Sequence, residues 1–237
     1  MVGGFVRAMA AGLSAGLLIS CDASSPDAGD NEAAPASATM GSDRESPAPS
    51  QEKFRDPQPR YSDGSPQRAK LSIPALGLRN LTVVPYVGKT DDARGTRIQN
   101  RGLAANPHGP DGGVGPGGIG NYQVTAHRLS STQAFLNLPE LRSGHRAIAV
   151  AKGIRYVYEI RDTRRTSFRS DRSLAKQRAA VPGKPGVPAR RGYLTLSTCA
   201  TPEDHARGNF WSDAFGNPEH RIDKIGVLVR SEPVKRS

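Results

Sequence analysis

Apolar and polar side chains alternate residue by residue in several short stretches of this chain, the two-residue period of a half-buried β-strand. The clearest is YLTLSTC, Tyr193 to Cys199. LTVVPY (Leu81–Tyr86) behaves alike, with Pro85 confining it to a sheet edge or marking its end, because proline donates no ladder hydrogen bond. LSIPALGL (Leu71–Leu78) reads as a strand broken at Pro74. AIAV (Ala147–Val150) and RYVYEIRD (Arg155–Asp162) read as a hairpin turning across Ala151–Ile154. Tyr122–Ala126 and Ile225–Val229 are two further strands. Thr132–Leu141 predicts a short helix with Phe135, Leu136 and Leu138 facing inward, whereas Asp91–Gly120 is glycine-rich and shows no periodicity. Many short strands with one or two small helices and long loops make an all-β fold. They suit a closed barrel, which removes sheet edges, and pattern alone leaves a sandwich open.

The N-terminal region follows a different rule. Arg7 precedes an apolar run, Ala8–Ser20, too short for a comfortable membrane span and of signal-peptide length. It ends in Leu18-Ile19-Ser20-Cys21, small residues before a cysteine as in a bacterial lipobox, so residues 1–21 are expected to be a signal peptide with Cys21 lipidated, or a signal anchor. Residues 22–67 are rich in Ala, Ser, Pro, Asp and Gly and nearly free of bulky apolar side chains. They are expected to form a disordered tether, since they bury too little surface to offset ordering entropy. A folded domain is expected at 68–231 and a short tail at 232–237. The expected location is the outer face of the cell membrane, held by the N-terminus.

Charge sharpens this division. Residues 1–52 carry seven acidic residues and two arginines, a net charge of −5, against +11 for the whole chain, so residues 53–237 carry +16. A body this basic is drawn to anionic surfaces such as lipid headgroups or wall polymers. No nucleic-acid motif or aromatic stacking pattern accompanies the charge, so a nucleic-acid partner is not expected. His108, His145, His205 and His220 show no ligand spacing with each other or with cysteine, and no metal or other cofactor is expected.

With Cys21 in the leader, Cys199 is the one cysteine of the body. A lone thiol in an exported protein is either buried and inert or reactive. Two other segments favour reactivity: GNYQVTAHR (Gly120–Arg128), with His127 at a strand end, and HRIDKIGVLV (His220–Val229), with Arg221 before the last strand. His, Cys and Arg in this order, each at a strand edge, resemble the sortase family. TLSTC resembles its TLxTC signature, and the likeness extends over Leu71–Val229. AHR, TLSTC and AFLNLPELRSG are most similar to class E sortases of high-GC Gram-positive bacteria.

The resemblance implies an eight-stranded sortase barrel and cysteine transpeptidation. Cys199 is then the nucleophile that cleaves the Thr–Gly bond of an LPxTG or LAxTG sorting signal on a surface protein. An amine of a peptidoglycan precursor resolves the thioester. His127 suits a general acid and base, and Arg221 suits a fixed donor to the oxyanion and substrate backbone. Arg207 is nearer to Cys199 in sequence, but Arg221 immediately precedes the last strand, as the family's arginine does. Thr198 is a candidate contact to the signal. Specificity is expected in Thr166–Arg191, with Phe168 and Val181 as substrate-binding candidates and PGKPGVP as a preorganised wall. The alternatives are a pilin-polymerising sortase and a non-catalytic basic wall-binding lipoprotein. An L,D-transpeptidase would carry His and Gly where this chain has Ser197-Thr198.

Overall fold

Along β7 (Gly192–Cys199) Leu194 and Leu196 are buried in the core, while Thr195, Ser197 and Cys199 project from the opposite face. Seven other strands accompany it: β1 (Ala69–Ile73), β2 (Leu78–Val87), β3 (Ala104–His108), β4 (Gly120–Thr125), β5 (Arg146–Ala151), β6 (Ile154–Ser167) and β8 (His220–Pro233). The computed structural model describes residues 58–234, and in them the strands close a barrel in the order β1-β2-β3-β4-β7-β8-β6-β5. Closure leaves no sheet edge, which settles the choice between barrel and sandwich.

Leu71, Ile73, Tyr122, Val124, Tyr158, Ile160, Leu194, Leu196 and Leu228 fill the interior, each at 2 % exposure or less. Each such aliphatic side chain stabilises the fold by roughly 1.5–3 kcal/mol. Gly117, at φ 80°, lies against the Tyr156 ring, where a Cβ atom would come within 2.1 Å of it. The β5–β6 hairpin turns at Lys152 and Gly153, both at positive φ, as the twist of a two-residue connection requires.

Two seams are parallel, β2 with β3 and β4 with β7, and the others are antiparallel. A parallel pair needs a crossover. Between β2 and β3 this is α1 (Ala93–Asn100), capped by Asp92, whose side chain accepts from the Gly95 N–H. Because β4 and β7 run in the same direction, their C-terminal ends share one rim. β8 is antiparallel to β7, so its N-terminal end arrives at that rim too.

The structure differs from the sequence expectations in several places. The aperiodic stretch after Asp91 holds α1 and β3; the first four residues of β3 are buried, so it shows no alternation. Pro85 is not at an open edge: it pairs across the parallel seam with Asn106, beyond the point where β1 stops pairing with β2. Thr132–Leu141 forms turns and one 3₁₀ turn, Leu138–Glu140, not an α-helix. Positive φ at Ser131 and Gln133 bars a regular helix entry, and Leu136 is exposed while Phe135, Leu138 and Leu141 are buried.

Among the described residues three short α-helices occur rather than one or two: α1, α2 (Asp171–Arg178) and α3 (Thr201–His205). The end of the expected tether also lies on the barrel. Ser62 donates from its N–H to Gly117 O at 2.9 Å, and Gly115 donates to Gly64 O at 2.8 Å. The expected signal peptide, Cys21 and the rest of the expected tether lie outside the described residues, as does the end of the C-terminal tail. Among the described residues no helix is long and apolar enough to cross a membrane.

Candidate active site

The shared rim brings the three candidate side chains together. Cys199 ends β7 directly opposite Arg221 in the β7–β8 register. The β4–β7 register pairs Thr125 with Ser197, and the Ala126 N–H continues it by donating to Ser197 O at 3.3 Å. One residue further, His127 therefore leaves the barrel beside the end of β7. Arg207 has no such place: it lies exposed in the turn after α3.

Arg221 is 1 % exposed, and its donors are nearly all engaged. Nε donates to Asp91 Oδ2 at 3.1 Å, and Nη1 donates to the carbonyls of Pro218 and His220 at 3.1 and 3.3 Å. The Phe168 ring lies 4.2 Å from the guanidinium carbon. Nη2 is buried and, among the described residues, has no partner. A buried donor left unpaired costs about 1–3 kcal/mol, recovered only when an acceptor arrives. Burial works against the charge of Arg221, but Asp91, Cys199 and Asp213 together more than offset it and raise the guanidinium above its ordinary range.

His127 is half-buried, with Nε2 2.7 Å from Asn100 Oδ1. Facing a carbonyl oxygen, Nε2 carries the proton, so in the neutral ring Nδ1 is the nitrogen left to exchange one. Burial lowers the imidazole below its usual range; Asp91 pulls it back up and Arg221 pushes it further down. Burial raises the Cys199 thiol, Arg221 opposes that rise, and Asp91 adds to it. At neutral pH thiol and imidazole are therefore both uncharged at rest.

The rim is braced from outside the trio. Arg128 donates from Nη1 to Cys199 O at 3.3 Å and to Glu203 Oε2 at 2.6 Å. Thr198, expected to contact a bound signal, faces the other way. It is 2 % exposed, and its hydroxyl donates to Ala126 O at 2.8 Å, because strand alternation turns it from Cys199's side. It tethers β7 to the end of β4 instead.

The Thr166–Arg191 segment is anchored through α2. Gln177 accepts from the Thr90 hydroxyl at 3.0 Å and donates to Asp223 Oδ1 at 3.0 Å and Ser197 Oγ at 3.3 Å. Thr166 donates to Asp223 Oδ2 at 2.6 Å. Asp223 is 1 % exposed, and burial raises its carboxyl in spite of these donors. Phe168 reaches the trio through Arg221. Val181 is half-buried in the turn after α2, where its carbonyl accepts from the Lys184 N–H at 2.9 Å, and it takes no part in the trio's hydrogen bonds.

Asp91 and Asn100, the partners of Arg221 and His127, carry no sequence signal of their own. They precede and end α1 in a stretch without periodicity, and Asp91 is 130 residues from Arg221. Among the described residues no group of three or more His, Cys, Asp or Glu side chains is arranged to hold a metal ion.

Residues 71–212 match the family model of the sortase domain, which stops short of Arg221. No curated protein matches the chain. Several solved structures share the fold. The SrtA sortase from Actinomyces oris is 16 % identical, with a TM-score of 0.54 over 76 % of this chain and 89 % of that one. Sortase E1 from Streptomyces coelicolor, solved with a tripeptide in its active site, is 19 % identical, with a TM-score of 0.52 over 73 % and 94 %. The SrtF sortase from Corynebacterium diphtheriae is 16 % identical, with a TM-score of 0.51 over 74 % and 90 %.

Proposed function

The chain belongs to the sortase family of cysteine transpeptidases, and we propose that it cleaves the Thr–Gly bond of an LPxTG- or LAxTG-type sorting signal with Cys199, then passes the acyl group to an amine of a peptidoglycan precursor. The observation that carries this reading is the meeting of Cys199, Arg221 and His127 at one barrel rim, through the parallel β4–β7 and antiparallel β7–β8 registers.

The chemistry follows from those three side chains. Nδ1 of His127 takes the Cys199 proton, and the thiolate attacks the threonine carbonyl carbon. The oxyanion that forms accepts a hydrogen bond from Nη2 of Arg221, the donor without a partner in the resting site. Collapse breaks the C–N bond, and the imidazolium protonates the departing glycine amine. An acceptor amine then attacks the thioester. His127 takes up its proton, the amide forms, and the thiol is regenerated.

The class E likeness of AHR and TLSTC favours a housekeeping role at the outer membrane face. Arg7, the apolar run and Cys21 support a lipid anchor there. The surface proteins and the wall-precursor amine are the partners this reading requires. The test is mass spectrometry of the protein after incubation with LAxTG and LPxTG peptides. An acyl adduct on Cys199, discharged by an amine and absent in Cys199→Ala and His127→Ala, is expected. No adduct with either peptide, together with a Cys199 inert to alkylation in the folded state, would favour the wall-binding alternative.

A further inference from the structure

We propose that Asp91 is a positioning residue of this active site: its carboxylate holds the Arg221 guanidinium so that Nη2 stays free for substrate, and supplies the negative charge that balances the site. The inference rests on the reading of Arg221 as the oxyanion donor.

Three observations carry it. The pair is buried, with side-chain exposures of 1 % for Arg221 and 6 % for Asp91, and the contact is 3.1 Å from Nε to Oδ2. Its geometry is selective. With Nε on Asp91, Nη1 on two carbonyls and the ring of Phe168 on one face, Nη2 is the only guanidinium nitrogen left without a partner. Asp91 also sits at φ 58°, a left-handed conformation that aspartate and asparagine tolerate better than most residues, and Gln99 Nε2 donates to its other oxygen at 3.5 Å.

A buried charge acts on every ionisable group around it. Arg221, Arg178, His127, Cys199, Tyr86 and Asp223 lie within reach of the Asp91 charge, and Asp213 and Arg128 complete the charged surroundings of the thiol. The negative charge favours imidazolium on His127 and disfavours thiolate on Cys199, so it raises both titrations. Removing it lowers both. The pH–rate bell of kcat/KM, bounded by those two groups, then moves as a whole toward acid.

The test compares wild type with Asp91→Asn and Asp91→Glu. Asparagine keeps the left-handed backbone and an acceptor for Nε but loses the charge. The readouts are kcat/KM against pH with a sorting-signal peptide and, without peptide, the pH dependence of Cys199 alkylation. Expected for Asp91→Asn are at least a tenfold loss of kcat/KM, mostly in kcat, and more acid midpoints in both profiles. Asp91→Glu should keep the alkylation midpoint and stay within threefold of wild type.

A folded Asp91→Asn with wild-type kcat/KM and an unmoved alkylation midpoint overturns the proposal. The double variant Asp91→Asn/Arg221→Met removes both buried charges and covers failure of the single variant to fold. Its residual kcat/KM should match that of Arg221→Met within twofold, and a further tenfold drop overturns action through the arginine. If wild type cleaves no sorting-signal peptide, the transpeptidase reading fails, while the alkylation midpoints still decide the place of Asp91.

Discussion

Phe168 lies on the guanidinium of Arg221, its ring centre 4.2 Å from Cζ. The ring belongs to the turn that leads into α2, and the arginine to the start of β8. The segment that the sequence marks for substrate selection is thus packed on the arginine proposed to meet the reacting carbonyl. A cation over an aromatic face in a desolvated site is worth about 2 kcal/mol.

Phe168→Ala should therefore lower stability by about 2 kcal/mol and kcat/KM about tenfold, while Phe168→Tyr keeps most of both. Chemical denaturation and peptide cleavage kinetics measure the two. A Phe168→Ala protein with unchanged kcat/KM separates the ring from the chemistry.

Cys199 should alkylate slowly at neutral pH. Burial holds its thiol above the ordinary cysteine range, so the rate with iodoacetamide should still be rising beyond about pH 8.5, where a free cysteine is half ionised. A midpoint below that of free cysteine would mean that Arg221 outweighs burial.

Asn100→Ala removes the acceptor facing His127 Nε2 and frees the ring to turn and to change tautomer. The loss of one partly solvated hydrogen bond, about 1 kcal/mol, corresponds to roughly fivefold in kcat with little change in KM. Steady-state kinetics at the pH optimum distinguish this from a binding defect.

Gln177→Ala cuts α2 away from Ser197 and Asp223. Asp223 keeps Thr166 but loses a buried donor, for about 1–3 kcal/mol of stability. Amide exchange in residues 171–178 should quicken by more than in the barrel strands. Uniform quickening would show that α2 is held by other contacts.

Asp223 also gives a pH signature. Its folded-state carboxyl titrates above the unfolded value, so the folded protein holds that proton longer. The stability this brings is complete below the unfolded value, about pH 3.9, and is lost as pH rises through the folded one. The melting temperature of Asp223→Asn, relative to wild type, should climb across that interval and then level off. A constant difference would place the titration of Asp223 at its unfolded value.

The strands were legible because their alternation is local, whereas the closed barrel and the candidates His127, Cys199 and Arg221 came from the likeness of AHR, TLSTC and HRIDKIGVLV to sortases. YLTLSTC and RYVYEIRD carry their alternation within one segment. What stayed hidden depends on distant partners. AANPH shows no pattern because four of its five positions are buried. Asp91 reads as a loop aspartate until β8 brings Arg221 to it. Phe135, Leu138 and Leu141 share a spacing of three, and the helix reading of that stretch missed that three is also the period of 3₁₀ geometry, which Leu138–Glu140 adopts.

The crossover helix α1 has a consequence for how this enzyme can change. The residue before its cap binds Arg221, and its last residue binds His127. Eight helical residues at 1.5 Å each make a rod of about 12 Å that gauges the gap between the two. Inserting or deleting one residue turns one end by about 100° against the other, so both grips cannot survive it. Length variation in this crossover is therefore closed to the protein, while the exposed turn at 184–188, which grips neither residue, is free to vary. A graft that alters specificity belongs in the second place and never in the first.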